Sequence, residues 1–295
     1  MKSLLILALA LGLSSSVLSQ GFGFELFGGL TNYQGDLRQR IFTFQGSRPA
    51  FGVGVSYAVN GHLAFRLGFK RGTLGADDRL NKDSAIFFRN LSFQTEIVDV
   101  EAVMIYSLFK DDASKYNFYA FAGVGGFAYD PFTIDQFGIT RRLQPLGTEG
   151  QGLPGYPEKE LYSLRQMNIP FGIGLQYNIG SRLGIAWEFT FRKTFTDYID
   201  DLSTNYADQF DLLFGRGPLG VVAADLSYRG DEMILIDPNV PYSMPKGSKR
   251  GNPGAKDLYY FTGLNLRYSL ARKETRGTTG FGNPRSRKGT ECPKW

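Results

Sequence analysis

Residues 63–70, Leu-Ala-Phe-Arg-Leu-Gly-Phe-Lys, alternate large apolar side chains with small or charged ones. A strand sends successive side chains to opposite faces, so Leu63, Phe65, Leu67 and Phe69 share one face. Ala64, Arg66, Gly68 and Lys70 share the other. The same period predicts eight strands, over 21–30, 51–59, 63–72, 91–108, 118–129, 167–178, 183–193 and 258–270. In several of them the face opposite the apolar one is rich in glycine, as with Gly52 and Gly54 or Gly172 and Gly174. A soluble sandwich would fill that face with Lys, Thr and Ser, so the pattern favours an apolar face on lipid and a polar face inside a barrel.

Two strands are harder to read. In 91–108 the alternation reverses near Thr95 to Ile97, which predicts a β-bulge, because one extra residue flips the faces beyond it. In 118–129 the run Gly123-Val124-Gly125-Gly126 leaves the two faces undecided. That run also resembles part of a nucleotide-binding loop, but the helix that should follow is missing, and strand packing accounts for it better. The connections fall into two classes. Those at Asn60-Gly61, 110–115 and Gly180-Ser181 are short, whereas 35–48, 73–90, 130–165 and 194–257 are long. Short turns at one end and long loops at the other predict a transmembrane, antiparallel, eight-stranded all-β barrel with periplasmic turns and termini and extracellular loops. Within the last loop, 217–226 reads as a short helix.

The ends of the chain add a compartment. Met1-Lys2, an apolar run from Leu4 and a small-residue stretch up to Ser19 predict a signal peptide over 1–19, too short for a membrane anchor. The barrel would then occupy 20–270 and a basic periplasmic tail 271–295. The tail holds seven basic residues against two acids, which accounts for the whole net charge of +5. The pI of 9.1 therefore describes a tail and not a binding face on the barrel. A single cysteine, Cys292, excludes a disulfide scaffold.

The inward positions that carry charge are Glu25, Asp99, Glu101 and Glu188 against Arg66, Lys70, Arg192 and Arg267. Four acids and four bases in an eight-stranded lumen predict a neutralised plug and argue against a channel. His62, the sole histidine, lies in a short turn with no serine partner in pattern, so a lipid-modifying enzyme is disfavoured and no catalysis or cofactor is expected. Asp197, Asp200 and Asp201 could ligate calcium, but no Asp-x-Asp-x-Asp-Gly loop surrounds them, and loop packing is the better reading.

Several segments carry a family resemblance. They are Arg89-Asn90-Leu91-Ser92-Phe93, Pro145-Leu146-Gly147-Thr148-Glu149-Gly150-Gln151, Thr194-Phe195-Thr196-Asp197-Tyr198-Ile199-Asp200-Asp201, Arg250-Gly251-Asn252-Pro253 with Lys256-Asp257, and the closing Glu291-Cys292-Pro293-Lys294-Trp295. Together they resemble the PorG-like outer-membrane barrels of Bacteroidetes, whose namesake belongs to the type IX secretion system. The resemblance implies a non-enzymatic structural or docking component of secretion or gliding machinery. It implies outer-membrane lipids and a periplasmic ring-forming lipoprotein with its partner protein as contacts. The tail is on the side that could reach such a ring, and its candidate contacts are Arg272, Lys273, Arg285, Arg287, Lys288, Cys292, Pro293, Lys294 and Trp295. A generic small outer-membrane barrel or narrow channel is the alternative.

Overall fold

The computed structural model describes residues 21–38, 46–110 and 114–270. The proposed signal peptide and the basic tail lie outside the described residues. Eight long strands form the barrel: β1 (Phe22–Gln34), β2 (Arg48–Ala58), β3 (Leu63–Asp77), β4 (Ser92–Ser107), β5 (Tyr116–Tyr129), β8 (Arg165–Asn178), β9 (Leu183–Thr194) and β10 (Leu258–Ser269). Two short strands, β6 (Phe132–Ile134) and β7 (Thr140–Arg142), make a hairpin in the β5–β8 loop that joins the outer end of β4. All pairings are antiparallel. They run β3-β2-β1-β10-β9-β8-β5-β4, and the β3–β4 pairing closes the ring.

The alternation read from the sequence maps onto outside and inside. Phe65 and Leu67 are exposed at 50% and 66%, whereas Arg66 and Lys70 between and beyond them are buried. The same holds around the barrel, from Phe51 and Val53 on β2 to Trp187 on β9 and Leu264 on β10. A closed antiparallel barrel with an apolar exterior band is built to span a membrane. At the turn end the band finishes in aromatics: Phe22 against Tyr57, Tyr116 against Tyr177, and Tyr106 stacked with His62. The tyrosines among them suit a membrane–water boundary, having an apolar body and a polar tip. At the loop end the band finishes at an exposed ion pair, Arg71 with Glu96 at 2.5 Å.

The expected bulge in the fourth strand is absent. β3 and β4 keep one unbroken register from Leu63↔Tyr106 to Asp77↔Ser92. Phe93, Thr95 and Ile97 are buried on the same inward side as Asp99 and Glu101, while Glu96 points out. What reverses near Thr95 is the chemistry of the interior, from charged at mid-barrel to apolar near the loops. The geometry stays the same. The faces of β5 also resolve: Tyr119, Phe121, Phe127 and Tyr129 point in, and Phe118, Ala122 and Val124 point out.

β1 and β3 run four and five residues beyond their expected ends. The long loops explain this, because they cover the barrel mouth and bury Thr31, Asn32, Tyr33 and Leu74. The core of this cap joins Tyr33, Phe93 and Ile97 of the strands to Leu146, Ile199 and Leu212 of the loops. Among the described residues, three short α-helices lie in the loops: α1 (Ser84–Arg89), α2 (Gln209–Gly215) and α3 (Gly220–Ser227). α3 starts three residues into the segment expected to be helical, ends one residue past it, and sinks Ala223 and Leu226 into the cap.

Candidate functional site

The middle of the lumen holds one connected set of buried charges. Arg66 is its hub, with Nη1 3.1 Å from Glu25 Oε2 and 2.6 Å from Glu188 Oε1. Its Nη2 lies 3.2 Å from Glu101 Oε1, an ion pair without an aligned hydrogen bond. Glu101 also accepts from Lys70 Nζ at 3.0 Å and from Arg192 Nη2 at 2.5 Å. Arg192 continues to Asp99, whose Oδ2 accepts from Asn168 Nδ2 and the Tyr259 hydroxyl at 2.7 Å each. Tyr119 and Asn265 donate to Glu188 Oε1, and Asn265 also donates to Glu25. The cations sit over rings as well: Arg66 over Phe121, Lys70 over Phe27 and Arg192 over Phe261. Buried charge is costly unless paired and hydrogen-bonded, and here partners converge from seven strands.

The inward glycines make room for these long side chains. Each glutamate faces glycine across a strand pair: Glu25↔Gly54, Glu101↔Gly68, Glu188↔Gly263 and Glu188↔Gly174. A Cβ on Gly68 would stand 2.9 Å from Glu101 Oε1, and one on Gly174 would stand 2.2 Å from the Tyr119 ring. Seven of the eight expected interior charges are therefore in contact within one network. The eighth, Arg267, pairs in register with Glu25 and lies toward the turn end, half-buried. Apolar layers close the network above and below, with Ala64, Val103, Ile105 and Phe121 toward the turns. Two cavities of about 10 Å³ remain beside Arg66, each with room for at most about one water.

A second polar network builds the cap. Gly147, at φ +52°, and Gly150, at φ +88°, take the left-handed conformation that most residues avoid, and the chain between them sends Thr148 and Glu149 inward. Glu149 then accepts from the Ser203 and Thr204 amides, from Thr204 Oγ1 at 2.6 Å and from Arg250 at 3.2 Å. Arg250 donates onward to the carbonyls of Asp201 and Ser227. Arg89 clamps Asp78 at 2.7 and 2.8 Å and reaches the Arg250 carbonyl. The loop segments around Arg89, Glu149, Asp201 and Arg250, which carried the family resemblance together with the closing residues outside the described ones, thus meet one another in space.

Two of the three acids whose spacing could suit calcium, Asp201 and Asp200, go to separate protein partners. Asp201 accepts from Thr148 and from Tyr162 at 2.5 and 2.7 Å. Asp200 accepts from the Tyr33 hydroxyl, which Asp257 also approaches at 3.1 Å. Asp197 is buried elsewhere in the cap, and no group of three metal-ligating side chains occurs among the described residues. Burial raises the carboxyls of Asp200 and Asp257, pushes Asp197 up to about 7 and pushes Asp201 up to about 6.

His62 sits in the β2–β3 turn, its Nδ1 2.9 Å from the Ser107 carbonyl and its ring on Tyr106. No side-chain hydroxyl is hydrogen-bonded to it among the described residues. The glycines Gly123 and Gly125 lie within β5, where a Cβ would meet Ala102 O at 2.0 Å and Asn168 Oδ1 at 2.4 Å. They serve close strand packing. The candidate contacts from Arg272 to Trp295 lie outside the described residues. Sequence reasoning missed Asn168, Tyr119 and Tyr259 as interior donors, although the parity of β8 with Gln176 would have placed Asn168 inward.

A family model described as "Domain of unknown function (DUF6089)" matches residues 2–142. No curated protein matches the chain. Solved structures similar to it include Neisserial surface protein A, at 9% identity and TM-score 0.41, over 84% of this chain and 97% of that one. A major outer membrane protein from Thermus thermophilus is similar at 11% identity and TM-score 0.39, over 84% and 98%. Ail, the attachment invasion locus protein of Yersinia pestis, is similar at 11% identity and TM-score 0.37, over 84% and 99%. The architecture rests on the closed strand pairing and not on these likenesses.

Proposed function

We propose that this chain is a sealed barrel of the bacterial outer membrane, serving as a structural or docking component and not as a conduit. The observation that carries this reading is the filled lumen, where Arg66, Glu101, Glu188, Asp99 and Arg192 pair with one another and the two cavities beside Arg66 hold about 10 Å³ each. A barrel that neither conducts nor offers a nucleophile–base pair has its two ends left with which to act. On this reading both termini and the short turns face the periplasm, and the capped loops face outward. The resemblance to PorG-like barrels suggests that the periplasmic side holds a ring-forming lipoprotein and its partner protein, within type IX secretion or gliding machinery.

The tail beyond Leu270 is the first candidate contact, through its arginines, lysines and terminal Cys-Pro-Lys-Trp. Basic residues near a membrane also attract anionic headgroups, so lipid is a competing contact. The test is affinity capture from detergent-solubilised outer membranes with the full chain and with a chain ending at Leu270. The docking role predicts periplasmic proteins recovered by the full chain and lost with the tail. Recovery of the same partners by both chains would remove the tail from the mechanism. Recovery of none by either would leave a generic barrel.

A further inference from the structure

β2 pairs with β3 only as far as Ala50↔Gly72, and residues 73–77 of β3 run on beside β4 alone. Against that extension lies a cavity of about 620 Å³ lined by four arginines, Arg38, Arg48, Arg79 and Arg229. Two of them are accounted for. Arg229 pairs with Glu232 at 2.7 Å, and Arg79 donates to Asn90 at 2.6 Å and approaches Glu232 at 3.9 Å. The other acids of the lining are also engaged: Asp135 with Arg141 at 2.9 Å, and Asp77 capping the turn that follows β3.

Arg38 and Arg48 differ. Arg38 donates to the Asn32 side chain at 2.6 Å, and neither arginine is paired with a carboxylate among the described residues. The Nε of Arg48 is buried with no hydrogen-bond partner. The segment between them, Gln39-Arg40-Ile41-Phe42-Thr43-Phe44-Gln45, contains no acid that could supply a counter-charge. Burial and the neighbouring Arg48 hold the Arg38 guanidinium below its ordinary value, against the opposing pull of Tyr260 and Tyr33. Two neighbouring cations facing a polar cavity without an anion are a binding feature in search of one.

The height of the cavity indicates which anion. The apolar belt ends at the Arg71–Glu96 pair, and the cavity-lining Gln94 lies two residues beyond Glu96, about 7 Å along the strand. That is the level of lipid headgroups. Ser92, Gln94 and Gln136 add donors to the lining. We propose that this cavity binds the phosphate of a lipid headgroup in the loop-side leaflet, with Arg38 and Arg48 as its counter-charges. The lipid part rests on the membrane placement above; recognition of phosphate itself does not.

The test uses the full chain in non-ionic detergent, titrated with phosphatidic acid in mixed micelles, with diacylglycerol in the same micelles, and with inorganic pyrophosphate. Binding of phosphatidic acid but not diacylglycerol is expected, weakened about tenfold or more in R38Q/R48Q and unchanged in R71Q/E96Q. Should the double variant fail to fold, R38Q and R48Q taken singly decide: each must weaken phosphatidic acid binding several-fold at about 0.05 M salt. Pyrophosphate binding with the same arginine dependence, without phosphatidic acid binding, would keep the phosphate site and overturn the lipid source. Equal binding by wild type and R38Q/R48Q, or none by the wild type, overturns the proposal.

Discussion

Arg66 and Glu188 meet at 2.6 Å in the centre of the barrel, both buried, although 122 residues separate them in sequence. The contact closes a circle of charges that reaches from Glu25 on β1 to Asp99 on β4. Pairing of this kind specifies which strands may face one another, because a mispaired register would leave charges alone in the lumen.

Removing the hub should therefore cost more than removing a surface pair. Arg66→Ala leaves Glu25, Glu101 and Glu188 facing one another, and a loss of about 3–5 kcal/mol is expected. Urea unfolding of the barrel in detergent micelles measures it. Adding Glu25→Gln and Glu188→Gln should restore part of that loss, since the cost lies in the unpaired carboxylates. If Arg66→Ala unfolds at the wild-type midpoint, the network does not hold the barrel.

The apolar belt makes a prediction that depends on depth. Leu67 faces outward in mid-belt and Thr73 beyond its edge, on the same strand and the same side. Leu67→Arg should cost about 2–4 kcal/mol in a lipid bilayer, and Thr73→Arg about 0–1 kcal/mol. Equal costs in lipid vesicles would contradict the membrane placement.

The cap should tighten in mild acid. Burial raises Asp197 to about 7 and Asp201 to about 6 from an ordinary 3.8, so the folded cap binds protons that the unfolded chain has released. A raised folded value contributes stability that is complete below the unfolded value and lost as pH rises through the folded one. Proteolysis within 195–257 should accordingly be slower near pH 5 than near pH 8. Asp197→Asn, which cannot ionise, should flatten that dependence. An unchanged slope in the variant would assign the effect elsewhere.

The barrel was legible in the sequence because period two, glycine on one face and unequal connections all agree. Eight interior charges could be placed from parity alone, Arg267 among them, which lines the lumen beside Glu25 and Arg66. The failures share one cause. Near the loops the lumen turns apolar while the exterior turns polar, so Phe93 and Ile97 inside and Glu96 outside reverse the hydrophobic code without changing the strand. The cap was illegible for a different reason. Glu149 meets Arg250 across 101 residues, and Tyr33 meets Asp257 across 224, and no local period announces contacts between loops.

The claim that the lumen is sealed meets its most direct test in planar bilayers. The wild-type chain should give no unitary current steps. A variant carrying Arg66→Gly, Glu101→Gly and Arg192→Gly, which empties the plug, should give them if it inserts. Stable, reproducible steps from the wild type would contradict the sealed barrel and favour a narrow channel.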